Sequence, residues 1–208
     1  MKRNMIAALV AAVAFAGVAL SAQAADIVDE WASVKAPPPP ALKPVTVDPS
    51  TAALLMLDFM NQNCGKRPRC LATIPAMKKL LAAARAAKVL VVYSLIAKTT
   101  PADVVKDLAP LANDPHVLSG PDKFLHTDLE KILKDKGIKT VITVGTASNG
   151  AVLYTASGAV FHGMKAIVPV DGMSAVDAYA DLSTVFTFTN APRLSTEATL
   201  TRSDMIKF

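Results

Sequence analysis

The stretch Ala52-Ala53-Leu54-Leu55-Met56-Leu57-Asp58 decides how this chain is read. Consecutive apolar residues with no polar alternation suit a strand buried on both faces, and such strands belong to parallel sheets covered by helices. Working outward, Ile74, Met77, Leu80, Leu81 and Ala84 recur at helical spacing, with Lys78, Lys79, Arg85 and Lys88 on the opposite face. Val89-Leu90-Val91-Val92-Tyr93 reads as the next strand. Residues 94–121, broken by Pro101, Pro110 and Pro115, read as loops over the carboxyl edge of the sheet. Thr127 caps a helix over 128–136 that stops at Gly137, and Thr140-Val141-Ile142-Thr143-Val144 follows as a strand. A helix over 149–162 ends at Gly163 and leads into the strand Ala166-Ile167-Val168-Pro169-Val170. Ser174 opens a last helix to residue 182, and 185–188 and 198–201 offer edge strands. This alternation predicts an α/β fold with a parallel sheet between helices.

Ligands of such sheets sit beyond the carboxyl ends of the strands. Asp58, the turn at 145–150 and Asp171-Gly172 all fall there. A carboxylate placed directly after a buried strand is partly desolvated, which raises its pKa toward use as a general acid or base. The other reading of Asp58 is a turn former or helix cap. Gly145-Thr146-Ala147-Ser148-Asn149-Gly150-Ala151 is a strand-to-helix turn of small residues. It either presents backbone N–H groups to an oxyanion or allows close packing of helix on strand. It lacks the Gly-Lys-Ser/Thr ending of a phosphate loop and the Gly-x-Ser-x-Gly of a nucleophile elbow.

The N-terminus carries the three parts of an export signal. Lys2 and Arg3 precede an apolar stretch over 5–20, and Ser21-Ala22-Gln23-Ala24 predicts cleavage after Ala24. The stretch is Ala-rich and falls short of the roughly 20 strongly apolar residues of a spanning helix. The expected mature protein is soluble, periplasmic or secreted, and makes no membrane contact once residues 1–24 are removed. Residues 25–50 form a Pro-rich arm, in which Pro37-Pro38-Pro39-Pro40 and Pro44 impose polyproline geometry. Trp31 in the arm offers a ring for docking on the domain or on a partner. Residues 51–208 form the domain. The formal net charge of the whole chain is +5 and aromatic residues make up 5% of it, with Lys and Arg dispersed, so no nucleic-acid partner is expected. The only cysteines, Cys64 and Cys70, read in an oxidising compartment as a disulfide closing a short loop. The competing reading is a reactive Cys64 whose pKa is lowered by Lys66 and Arg67.

Leu55-Met56-Leu57-Asp58-Phe59-Met60-Asn61 resembles the opening motif of the isochorismatase-like hydrolases. The resemblance continues through Phe124-Leu125-His126-Thr127-Asp128-Leu129, Val144-Gly145-Thr146-Ala147-Ser148-Asn149, Tyr154-Thr155-Ala156, Gly163 and Asp171-Gly172-Met173-Ser174. It implies α/β, three-layer α/β/α with a mostly parallel sheet, isochorismatase-like. It also implies a catalytic Asp, Lys and Cys: the Asp takes the thiol proton, the thiolate attacks an amide-like carbon, and backbone N–H groups hold the oxyanion. Asp58 matches the Asp. The thiol position is Ala151, whose methyl group cannot attack. The family lysine belongs further upstream, where Val117, Leu118 and Ser119 stand. Lys123 could reach in from nearby, although Pro121-Asp122-Lys123 reads first as a surface lysine. Cys64 aligns with a non-nucleophilic family cysteine. Ser148 is a replacement nucleophile only with Asp58 as its base, because no histidine is placed to help. The family's metal-binding variant needs Asp and His clustered after the second strand, whereas His116, His126 and His162 are scattered, so no metal and no cofactor are expected. Family members often assemble through helices beside the site, which implies a homo-oligomer.

Two functions are compatible with these residues. One is a hydrolase of a small molecule without a cysteine nucleophile, in which Asp58 protonates a vinyl ether and water completes the cleavage, as the resemblance to true isochorismatases implies. The other is a catalytically inactive descendant that binds a small molecule or a partner. An Ala151 engineered from Cys would explain the lost thiol but not the displaced lysine.

Overall fold

The computed structural model describes residues 26–208, so the predicted export signal over 1–24 lies outside the described residues. Residues 26–37 carry a short helix α1 (Ile27–Glu30), whose first amides are accepted by the Asp26 carboxylate, and an exposed Trp31. Residues 38–208 form one compact unit. In chain order it holds β1 (Val45–Thr46), β2 (Ala52–Leu57), α2 (Pro68–Ala86), β3 (Leu90–Leu95) and β4 (His116–Leu118). Next come α3 (Leu129–Asp135), β5 (Thr140–Thr146), α4 (Leu153–Phe161), β6 (Lys165–Pro169) and β7 (Met173–Ser174). The chain closes with α5 (Ala178–Asn190), α6 (Leu194–Glu197), β8 (Ala198–Thr201) and β9 (Ile206–Lys207). No described helix is long and apolar enough to cross a membrane.

The main sheet is parallel throughout, in the order β4-β3-β2-β5-β6-β8, with the short β7 paired to β5. Each residue of β2 is buried, as its unbroken apolar run requires. Leu54 and Met56 pack with Ile74, Met77 and Leu81 of α2 on one face. Ala53, Leu55 and Leu57 pack with Leu129 and Leu133 of α3, Ala156 and Val160 of α4 and Phe188 of α5 on the other. The three-layer α/β/α arrangement follows from this two-sided burial.

Several boundaries differ from the sequence reading, each for a local reason. β4 lies inside the stretch read as loops, because three residues with the middle one buried are too few to show a period. The helix expected from Ser174 starts at Ala178, where the Asp177 side chain accepts from the Ala180 amide. It runs on through residues 185–188, which were expected as a strand. The β-branched and aromatic residues there favour a strand locally, but burial of Thr184 and Phe188 one turn apart fixes a helix. The helix over 149–162 is split into a single π-helical turn, Ser148–Val152, and α4. The Pro-rich segment ends tied to the domain: β1 pairs in parallel with β9, and the Lys43 amide donates to the Leu200 carbonyl at 3.1 Å.

Candidate functional site

The sheet reverses its winding between β2 and β5. From β2 the chain steps through β3 and β4 to one edge, and from β5 through β6 and β8 to the other. The crevice at such a reversal is where an open α/β sheet takes its ligand. In register, Leu57 faces Ser94 on one side and Gly145 on the other, and Gly145 and Thr146 face Met173 and Ser174. Ser94, Asp58, Thr146 and Ser174 therefore line up along one edge of the sheet. Gly145 makes this close approach feasible: its φ is +144°, and a Cβ there would lie 2.1 Å from the Leu57 carbonyl oxygen. The Thr146–Ala147 peptide after it is cis.

Asp58 leaves β2 in the left-handed region, with φ of 53°, a conformation that Asp tolerates better than most residues. Its Oδ1 accepts from Ser94 Oγ at 2.6 Å and its Oδ2 from Lys123 Nζ at 2.7 Å. The Asp58 amide in turn donates to Ser94 Oγ at 3.1 Å. The Lys123 side chain is 0% exposed and that of Asp58 9%. Lys123 Nζ also donates to the Gly120 carbonyl at 2.7 Å, and its amide donates to Thr155 Oγ1 at 3.4 Å. The surface lysine expected from Pro121-Asp122-Lys123 is thus corrected. A buried ammonium needs anionic and carbonyl partners, and the chain over 120–123 supplies one and brings it to the other. Burial is the largest influence on the Asp58 carboxyl and pushes its pKa above the ordinary range. The Lys123 charge and the hydrogen bonds from Lys123 and Ser94 pull it partly back.

The turn after β5 holds Thr146, Ala147, Ser148, Asn149, Gly150 and Ala151. Thr146, Ser148 and Ala151 are buried and Asn149 is exposed. Ser148 Oγ donates to Asp181 Oδ1 at 2.6 Å. The base within reach of Ser148 is therefore Asp181 of α5, and the pairing of Ser148 with Asp58 is corrected. Asp181 also forms an ion pair with Arg69 through its other oxygen. Arg67 Nη1 donates to Thr146 Oγ1 at 3.3 Å. Both arginines belong to the loop closed by Cys64 and Cys70, which are disulfide-bonded with Cα atoms 5.2 Å apart. Cys64 is consequently not a free thiol, and the bridged loop holds the strand-to-helix turn directly through Arg67 and, through Arg69, holds the Asp181 carboxylate that accepts from Ser148.

His116 and His126 are exposed, and the His162 ring stacks on Phe124 with centroids 4.8 Å apart. Among the described residues no three His, Cys, Asp or Glu side chains gather as metal ligands. Sequence reasoning missed Ser94, Asp181, Arg67 and Arg69 as parts of this region. Ser94 had a signal, because it follows the apolar run 89–93 much as Asp58 follows its own. Asp181 had none: it lies 33 residues from the serine it holds.

Residues 52–192 match the family model described as the isochorismatase domain. No curated protein matches the sequence. Among solved structures, an isochorismatase-like hydrolase from Alkaliphilus metalliredigens is similar at TM-score 0.66 and 23% identity, over 74% of this chain and 95% of that one. N-carbamoylsarcosine amidase from Thermoplasma acidophilum is similar at TM-score 0.64 and 24% identity, over 74% and 97%. A cysteine hydrolase from Pseudomonas syringae pv. phaseolicola is similar at TM-score 0.68 and 21% identity, over 79% and 94%.

Proposed function

Because the chain belongs to the isochorismatase family, we propose that it is a hydrolase that works without a thiol, using Asp58 as acid and base on a small molecule. The observation that carries this reading is the buried Asp58 carboxyl, bound on one oxygen by Ser94 and on the other by Lys123, with its pKa raised by burial. A carboxyl in that state retains a proton further toward neutral pH and can deliver it. On a vinyl ether, the Asp58 proton goes to the terminal alkene carbon, and the electron pair of the double bond forms the new C–H bond. Water then adds to the oxocarbenium carbon and returns a proton to the Asp58 carboxylate. The resulting hemiketal or hemiacetal breaks its C–O bond to release an alcohol and a carbonyl compound. Lys123 balances the carboxylate charge while the proton is away, and Ser94 fixes the orientation of the carboxyl plane. Amides of the turn 146–151 offer donors to the departing alcohol oxygen as its C–O bond breaks.

A second reading, a ligand-binding protein without turnover, is favoured by Ala151, since a methyl group stands where the family thiol is expected and Ser148 is engaged by Asp181. Assay of the parent, Asp58→Asn and Ala151→Cys chains against vinyl ethers and amides separates the two. Turnover of a vinyl ether by the parent that is lost in Asp58→Asn supports the hydrolase. No turnover by the parent, with amidase activity gained in Ala151→Cys, supports the binding protein. The Cys64–Cys70 bridge and the pattern of residues 1–24 support action outside the cytosol. The mass of the protein recovered from the periplasm, starting at Ala25, tests that placement.

A further inference from the structure

A cavity of about 420 Å³ opens between the start of α2, the ends of β6 and β7, and α5. Its volume falls in the range of small-molecule pockets, roughly 300–1,000 Å³. It is separate from Asp58 and Lys123, neither of which lines it. Val170, Met173 and Leu182 give its lining an apolar part, and Arg69 and Asp181 give it an ion pair of opposite charges. Ser174 also lines the space. Its residue is 2% exposed, and its hydroxyl has no hydrogen-bond partner among the described residues. A buried hydroxyl without a partner costs stability, so Ser174 is a polar group that a ligand would satisfy. The remaining charge at the rim, Asp171, is already engaged: its oxygens accept from the Ser203 amide at 2.8 Å and the Ser203 hydroxyl at 2.7 Å.

We propose that this cavity binds a small zwitterion with an apolar side chain, of the α-amino acid class. The Arg69 guanidinium uses Nη2 toward Asp181, while its Nε and Nη1 have no partner among the described residues and can take a carboxylate. Each Asp181 oxygen accepts one hydrogen bond and has capacity for an ammonium donor. The two charged ends of an amino acid thus match the two charges of the lining, and Ser174 donates to the same carboxylate. An aliphatic side chain fills the space against Val170, Met173 and Leu182. A ligand with a single charge would leave one member of the Arg69–Asp181 pair facing a like charge. A neutral amide would meet both charges without neutralising either.

The test is calorimetric titration of the full-length processed protein with L-leucine, alongside leucinamide, which lacks the carboxylate, and 4-methylpentanoate, which lacks the ammonium. Saturable leucine binding is expected, with both analogues and the Arg69→Met chain weaker by about tenfold or more, since each loses a charge-assisted contact. Ser174→Ala is the variant least able to disturb folding. It is expected to raise or preserve thermal stability without ligand while weakening leucine binding, which a purely structural serine would not do. Absence of saturable leucine binding overturns the proposal, as does equal binding of either analogue or unchanged affinity in Arg69→Met and Ser174→Ala.

Discussion

Lys123 Nζ lies 2.7 Å from Asp58 Oδ2, and the lysine is wholly buried. One stands at the end of β2 and the other in the segment that leads from β4 to α3 and on to β5. Neither tolerates its position alone, because an unpaired buried charge costs several kcal/mol. Lys123→Met is therefore expected to destabilise the fold by about 3–5 kcal/mol at neutral pH, the usual penalty for breaking a buried pair from one side. Urea unfolding measures it, and a second chain carrying Lys123→Met with Asp58→Asn should recover a good part of the loss. A loss in the double variant equal to that in the single one would mean that the pair is not coupled.

The raised Asp58 pKa has a definite sign in stability. The folded state holds this proton more tightly than the unfolded state, whose Asp titrates near 3.8. The contribution is fully present below 3.8 and is lost as pH rises through the folded pKa. The stability of the parent relative to Asp58→Asn should accordingly fall over that window as pH rises. Unfolding curves of both chains taken from acid to neutral pH check the slope, and a rise in its place would show a carboxyl depressed by Lys123.

The bridge between Cys64 and Cys70 closes a short loop, for which chain entropy gives a stabilisation of about 2 kcal/mol. Dithiothreitol, or Cys64→Ser with Cys70→Ser, should lower stability by that order. Mass spectrometry of the protein kept free of reductant should find neither thiol free. The loop also supplies Arg67 to Thr146 and Arg69 to Asp181, so reduction should loosen the turn over 146–151, read as faster amide exchange there.

Gly145→Ala tests how closely β2 and β5 are packed at the site. The added methyl would meet the Leu57 carbonyl oxygen at 2.1 Å, and the backbone cannot yield without breaking the register. We expect a loss of roughly 3 kcal/mol or failure to fold, at the upper end for overpacked positions. A chain that melts like the parent would refute the register.

The fold was legible where the chemistry is local. The six apolar residues of β2 and the carboxylate after them could be read directly, because burial on both faces leaves no other pattern. The disulfide was legible from the number of cysteines and their spacing. Lys123 was misread because the turn Pro121-Asp122 is polar, and nothing local reveals that the segment curls beneath the strand ends. Ser148 was given the wrong partner for a related reason. Asp181 reaches it from a helix that sequence propensity had partly drawn as a strand, and contacts between distant segments leave no periodic trace.

The central claim is that Asp58 transfers the proton. Its most direct measurement is the rate of vinyl ether hydrolysis, followed by release of the carbonyl product, for the parent and for Asp58→Asn shown by circular dichroism to be folded. We predict turnover in the parent and a fall of about 10²–10⁴-fold in the variant, the usual contribution of a positioned acid. Equal rates in the two chains, whether above background or at it, would contradict the account.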